Sequence, residues 1–206
     1  MTENKKILVR TAAAVLTLLF WFGMTAWADF RNGCRQLKED MLRLHIIAQS
    51  DSAADQALKL AVRDRILELS AEWAGFSDDK QAVMTHLAGH LDDIEAAAGE
   101  VLLENGCYLS VKAELSRGFF DTRVYDGKIV PAGWYDALRV TVGEGAGKNW
   151  WCVLYPPLCL PAAEGEAVLD STFTAEEKAV LSSPPRYKIC FLTVELAEKF
   201  LNWLKR

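Results

Sequence analysis

From Thr11 to Ala28 the chain reads TAAAVLTLLFWFGMTAWA, eighteen residues without a charge, preceded by Lys5, Lys6 and Arg10. No side of this segment is polar, so it does not have the one-sided pattern of a helix lying on a protein surface. Its length falls between a long signal-peptide core and a short membrane span, and the basic residues ahead of it set a positive-inside orientation. Ala26-Trp27-Ala28 offers the small-x-small pattern of a signal cleavage site after Ala28. The pattern predicts residues 1–28 as a signal peptide or an uncleaved anchor, with everything beyond exported. Residues 29–41 are polar and charged, and read as a tether.

The periodicity then becomes that of a folded domain over residues 42–160. LRLHIIAQ is a short apolar run suited to a buried strand. Ser52 and Asp55 have the capping-box spacing of a helix start, and Leu58, Val62, Ile66, Leu69 and Trp73 form one apolar stripe beyond them. Lys59, Arg63, Asp64 and Glu68 fall on other faces. A second helix is predicted from near Ser77, with Met84, Leu87, Leu91, Ile94, Ala98 and Val101 as its seam and Asn105-Gly106 as its stop. The period changes to two in CYLSVKAEL, where Cys107, Leu109, Val111, Ala113 and Leu115 share a face. Asp126-Gly127 signals a hairpin, and WYDALRVTV and NWWCVLY complete a meander. The expected fold is α+β: an antiparallel sheet of four to five strands, two helices packed on one face, and a C-terminal amphipathic helix. Residues 161–186 read as an acidic surface excursion with a short helix starting at Thr174, and residues 187–206 as a closing strand and helix.

Composition narrows the possible functions. With 206 residues, 51% hydrophobic and 25% charged, the chain suits one globular domain. Residues 1–28 carry +2 of the net −5, which leaves −7 beyond Ala28. Such an acidic exported domain is unsuited to nucleic acid or anionic membrane surfaces, so membrane contact is expected only through the N-terminal segment. The five cysteines, Cys34, Cys107, Cys152, Cys159 and Cys190, all lie in the exported part, where disulfides persist. Five is odd, so at least one thiol stays free or pairs between chains. Cys152 and Cys159 are the nearest pair, and Pro156-Pro157 between them can turn the chain back. A local disulfide and a set of small buried hydrophobes both fit this pattern.

Candidate chemistry is sparse, and no cofactor, metal or catalytic group is expected. A phosphate loop ending in Gly147-Lys148 needs glycine at Val142 and a hydroxyl at Asn149, followed by a helix, whereas the residues that follow are β-prone and aromatic. The glycines therefore read as a connection between strands. His86 and His90 have the spacing of two metal ligands, but Leu87 stands where a metalloprotease needs glutamate. A solvated helix flank accounts for them. Cys152 has no local base, although a distant His45 can approach it in a fold, and no G-x-S-x-G occurs. Trp150 and Trp151 are adjacent and must face opposite sides of an extended strand, leaving one of them able to anchor a partner protein.

Two blocks together, LRLHIIAQSDSAADQALKLAVRD from Leu42 to Asp64 and PAGWYDALRVTVGEGAGKNWWCVLYPPLC from Pro131 to Cys159, resemble the stage II sporulation protein R family. The resemblance implies a non-enzymatic signalling protein of endospore formation. It would be exported from the forespore into the intermembrane space, and could remain anchored there through residues 7–28. Its implied partner is a membrane-embedded aspartic-type protease of the mother cell, which it activates to process pro-sigma-E. The partner surface expected on this chain is Gly147, Lys148, Asn149, Trp150 and Trp151 with Gln49, Ser50, Asp51 and Ser52; a Cys152–Cys159 bridge would be structural. The competing classes are an exported cell-envelope hydrolase working with Asp and Glu side chains, and an anchored envelope scaffold.

Overall fold

The computed structural model describes residues 3–74, 79–125, 127–156 and 173–182. Helix α1, Glu3–Asp40, carries the uncharged segment and is long and apolar enough to cross a membrane. Leu18, Leu19, Phe20, Trp21 and Phe22 each expose more than 60% of their surface, so none of the described residues covers this stretch. The helix continues past Ala28, and its last turns bury Cys34, Leu37 and, just after its end, Met41. Residues 29–41 are thus a packed arm rather than a tether. Cys34 and Leu37 lie three apart, which puts two apolar groups on one side of an otherwise charged stretch.

Strand β1, Leu42–Ile47, follows directly and enters the centre of a mixed sheet of order β2-β5-β1-β6. The other strands are β2 (Val111–Phe120), β5 (Gly133–Val142) and β6 (Asn149–Tyr155). β1 runs parallel to β5 and antiparallel to β6, whereas β2 and β5 are antiparallel. The purely antiparallel meander expected from the sequence is therefore corrected. β5 and β6 do not pair as a hairpin, because β1 lies between them. A short separate ribbon, β3 (Arg123–Tyr125) and β4 (Lys128–Val130), turns at Gly127 with φ 76°, the conformation that an Asp-Gly turn favours.

Helices cover both faces of the sheet, not one. On the first face lie α2 (Ala53–Ala74), α3 (Lys80–Gly89) and α4 (Leu91–Glu104). Val62, Ile66, Leu87, Ile94, Ala98 and Leu102 bury their apolar stripes against Leu44, Ile46, Leu138 and Val140. Each buried Val, Leu or Ile side chain here stabilises the fold by about 1.5–3 kcal/mol relative to exposure. The expected second helix is two helices, interrupted at His90 with φ −126° and ψ 20°, yet its apolar seam continues across the break. The period-two residues Cys107 to Leu115 all pack on this same core.

On the second face the C-terminal part of α1, the ribbon, and α5 (Ala175–Leu181) form another core with Phe120, Tyr135, Val153, Phe173 and Val180. Thr174 and Glu177 make a reciprocal capping box that starts α5. A β-carbon on Gly33 of α1 would come within 3.0 Å of Val180, so glycine permits the two helices to approach closely. Residues 173–182 are therefore part of the packed body rather than of an exposed excursion. The strand and helix expected over 187–206 lie outside the described residues.

Candidate functional site

Where β1 ends, the chain turns through Gln49–Ser52 into α2. Ser52 Oγ accepts the Asp55 N–H at 3.1 Å, satisfying one orphan donor of the helix. The reciprocal half of the capping box is replaced: the Asp55 carboxylate takes the Ser50 hydroxyl, and Ser50 Oγ accepts from the Ser52 N–H at 3.1 Å. The turn is thereby braced by its own serines.

The glycine-rich connection from β5 to β6 crosses directly over this turn. Gly147 N donates to Ala48 O at 2.9 Å and Ala146 N to Gln49 O at 3.2 Å. Glu144 N donates to Gln49 Oε1 at 2.5 Å and Lys148 N to Asp51 Oδ1 at 2.7 Å. A β-carbon on Gly147 would collide with Ser50 O, and one on Gly143, with φ 57°, would collide with the Gln49 side chain. Close crossing of two backbones is what these glycines allow. Lys59, which helical spacing puts off the apolar stripe of α2, is nonetheless buried, and donates to Gln56 Oε1 at 2.6 Å and Lys148 O at 3.2 Å. Burial pushes its pKa down, with Asp51 opposing that shift. The structure thus joins Gln49, Ser50 and Asp51 to Gly147 and Lys148 although the two segments lie nearly a hundred residues apart. The outer Lys148–Asp51 pair, at 4.0 Å and mostly exposed, contributes little by itself.

Trp150 and Trp151 take opposite faces, and both are half-buried. Trp150 turns toward the α2 side, with the Arg63 guanidinium 4.6 Å from its ring centre and its own Nε1 buried without an acceptor. Trp151 stacks on His45 at 3.7 Å between ring centres and meets the Phe120 ring edge-to-face at 4.7 Å. His45 Nε2 donates to Asn149 Oδ1 at 2.8 Å. Burial lowers the His45 pKa below its ordinary 6.5, partly opposed by the bond to Asn149.

Arg43 is a site residue that the sequence reading passed over. It is fully buried on β1 beside His45, and Nε donates to Cys152 O at 2.9 Å while Nη2 donates to the Tyr125 hydroxyl at 2.7 Å. The rings of Phe120, Tyr135 and Tyr125 lie 4.5, 5.2 and 5.4 Å from its guanidinium carbon. No carboxylate among the described residues pairs with it, and Nη1 is buried without an acceptor. Burial lowers its pKa, and raises that of the Tyr125 hydroxyl. Its signal in the sequence was a charge placed inside an apolar strand, where it must be paired, caged by aromatic rings, or functional.

The remaining expectations find simpler places. His86 and His90 stack at 4.2 Å, and His90 Nδ1 donates to His86 O at 2.8 Å. Among the described residues no three His, Cys, Asp or Glu side chains converge as a metal-binding group. Cys152 is buried in β6. Cys159, and with it the expected bridge, lies outside the described residues.

The family described as Stage II sporulation protein R (spore_II_R) matches residues 38–164. The chain is also similar to Stage II sporulation protein R of Bacillus subtilis (strain 168), with 36% identity over 135 residues. That alignment covers 65% of this chain and 60% of the relative, so the chain matches somewhat under two thirds of the relative's length. No solved structure matches. The matched region runs from the end of α1 through the crossing loop and β6, and so contains all four strands of the main sheet, while most of α1 and all of α5 lie outside it.

Proposed function

The chain belongs to the stage II sporulation protein R family, and from that premise we propose that it is an intercompartmental signal of endospore formation. It is exported from the forespore and acts in the intermembrane space on a membrane-embedded aspartic-type protease of the mother cell, switching on cleavage of pro-sigma-E. It supplies no catalytic group to that cleavage. It binds the protease's outward-facing part, and shifts the protease toward its active state by binding that state more tightly.

One observation carries the reading: the turn Gln49–Ser52 and the segment Gly147–Trp151 are laced into one braced surface. Such a surface is held in shape before any partner arrives, which lowers the ordering cost of binding. Helix α1 is compatible with both export and anchoring, because its apolar part is uncovered and its last turns are packed into the domain.

The test is co-expression with the protease and pro-sigma-E in a host that does not sporulate, scoring removal of the pro-sequence. Wild type is compared with a chain lacking residues 1–28 and with Trp150→Ala and Trp151→Ala. The expected result is cleavage that requires export and is lost with Trp151→Ala. Absence of cleavage with folded, exported wild type would remove the signalling function and bring an envelope hydrolase to the front.

A further inference from the structure

Beside Arg43 lies a cavity of about 40 Å³, lined by Arg43, Phe119, Phe120, Asp121, Arg123 and Trp151. Arg43 has no exposed surface, two of its three nitrogens already have acceptors, and Nη1 has none. A buried guanidinium with no counter-ion among the described residues is costly, and the three surrounding ring faces compensate only in part. Arg123 is exposed and places a second cation on the cavity wall. We propose that this cavity is a carboxylate-binding pocket that receives an acidic side chain from a protein partner.

Three features select that ligand. The volume admits the head of one side chain and is far below the several hundred Å³ of a small-molecule site. A carboxylate has two oxygens, one to accept from Arg43 Nη1 and the other from Arg123, and such charge-assisted bonds are the strong ones. Trp151, Phe119 and Phe120 supply apolar wall for the methylene stem of an Asp or Glu, in the manner of an interface hot spot. A lone water would satisfy Nη1 and leave the charge uncompensated. Asp121 is exposed and lines the same cavity, so it disfavours an anion that is not held by both arginines. The pocket adjoins Trp151, and the protein source of the carboxylate rests on the reading that a partner docks there.

The experiment titrates sodium acetate, with sodium chloride at matched ionic strength as control, into the full chain in detergent micelles. The chain carries 15N in its arginine and tryptophan side chains, and Trp151→Phe identifies the Trp151 indole signal. Acetate is expected to shift the Arg43 Nε–H and Trp151 indole signals saturably. Arg123→Gln, a surface change that leaves the fold intact, is expected to weaken acetate about tenfold. No acetate-specific shift, or an equal affinity in Arg123→Gln, overturns the pocket. Arg123→Gln is then scored for pro-sigma-E cleavage. Loss of cleavage supports the protein source, whereas full cleavage together with acetate binding overturns that source and leaves the signalling function, which stands on wild-type cleavage, untouched.

Discussion

β1 presents two different chemistries from six consecutive residues. Leu42, Leu44 and Ile46 enter a core made of aliphatic side chains from α2, α3 and α4. Arg43 and His45, pointing the other way, enter a layer of aromatic rings, a phenol hydroxyl and a backbone carbonyl. The first face is mainly aliphatic and is held by area and close packing, although Trp150 Nε1 and the Tyr155 hydroxyl are also buried there, the former without an acceptor among the described residues. The second face holds a cation at the cost of an unfilled donor. A protein selected for stability alone could place an aliphatic residue at Arg43, so the second face carries the cost of a buried cation that the first does not.

The largest test of this contrast is Ile46→Ala on the aliphatic face. It removes fully buried methyl groups and should destabilise the domain by about 2–5 kcal/mol, read as the shift of a urea unfolding midpoint. Gly33→Leu comes next, forcing a side chain into Val180 and the backbone of α5. A loss of about 1–3 kcal/mol is expected, and an unchanged midpoint would show that α1 does not dock on α5 as described.

Arg43→Met should cost less than Ile46→Ala, about 1–2 kcal/mol. An apolar isostere removes the uncompensated charge, although it strands Cys152 O and the Tyr125 hydroxyl. Pro-sigma-E cleavage should nevertheless fall sharply. A stability loss equal to that of Ile46→Ala would break the comparison, since Arg43 would then be a structural element.

The smallest effect concerns pH. Because burial depresses the His45 pKa, the unfolded chain binds this proton more tightly than the folded one. The contribution is therefore fully present above about 6.5, the unfolded value, and is lost as pH falls from there through the folded value. His45→Gln should flatten that part of the stability profile, and equal slopes in the two proteins would assign it to another group.

The sequence reading was most successful where periodicity decides a side chain's direction. The stripe from Val62 to Ile66, the α4 seam and the Cys107–Leu115 alternation all reach the aliphatic core. Adjacent tryptophans had to diverge, and they do. It was least successful with polar residues inside apolar patterns. Lys59 falls off the apolar stripe, and helical phase carries no knowledge of the loop from Lys148 that covers it. Arg43 does lie in a strand, but nothing within six residues of it shows the rings and carbonyl that surround its guanidinium.

The sequence by itself determined the apolar N-terminal span, the main helices and strands of residues 42–155, and most of the apolar residues they turn inward. It also carried the two blocks that resemble the family, whose meeting in space only the fold shows. Tertiary structure alone decided that β1 sits between β5 and β6, that the second face is covered by the end of α1 and by α5, and that Gly147 lies on Ser50. The physical reason is range. Side-chain direction is set by dihedral periodicity over a few residues, whereas strand order and the pairing of Asp51 with Lys148 depend on long-range packing that no local pattern encodes.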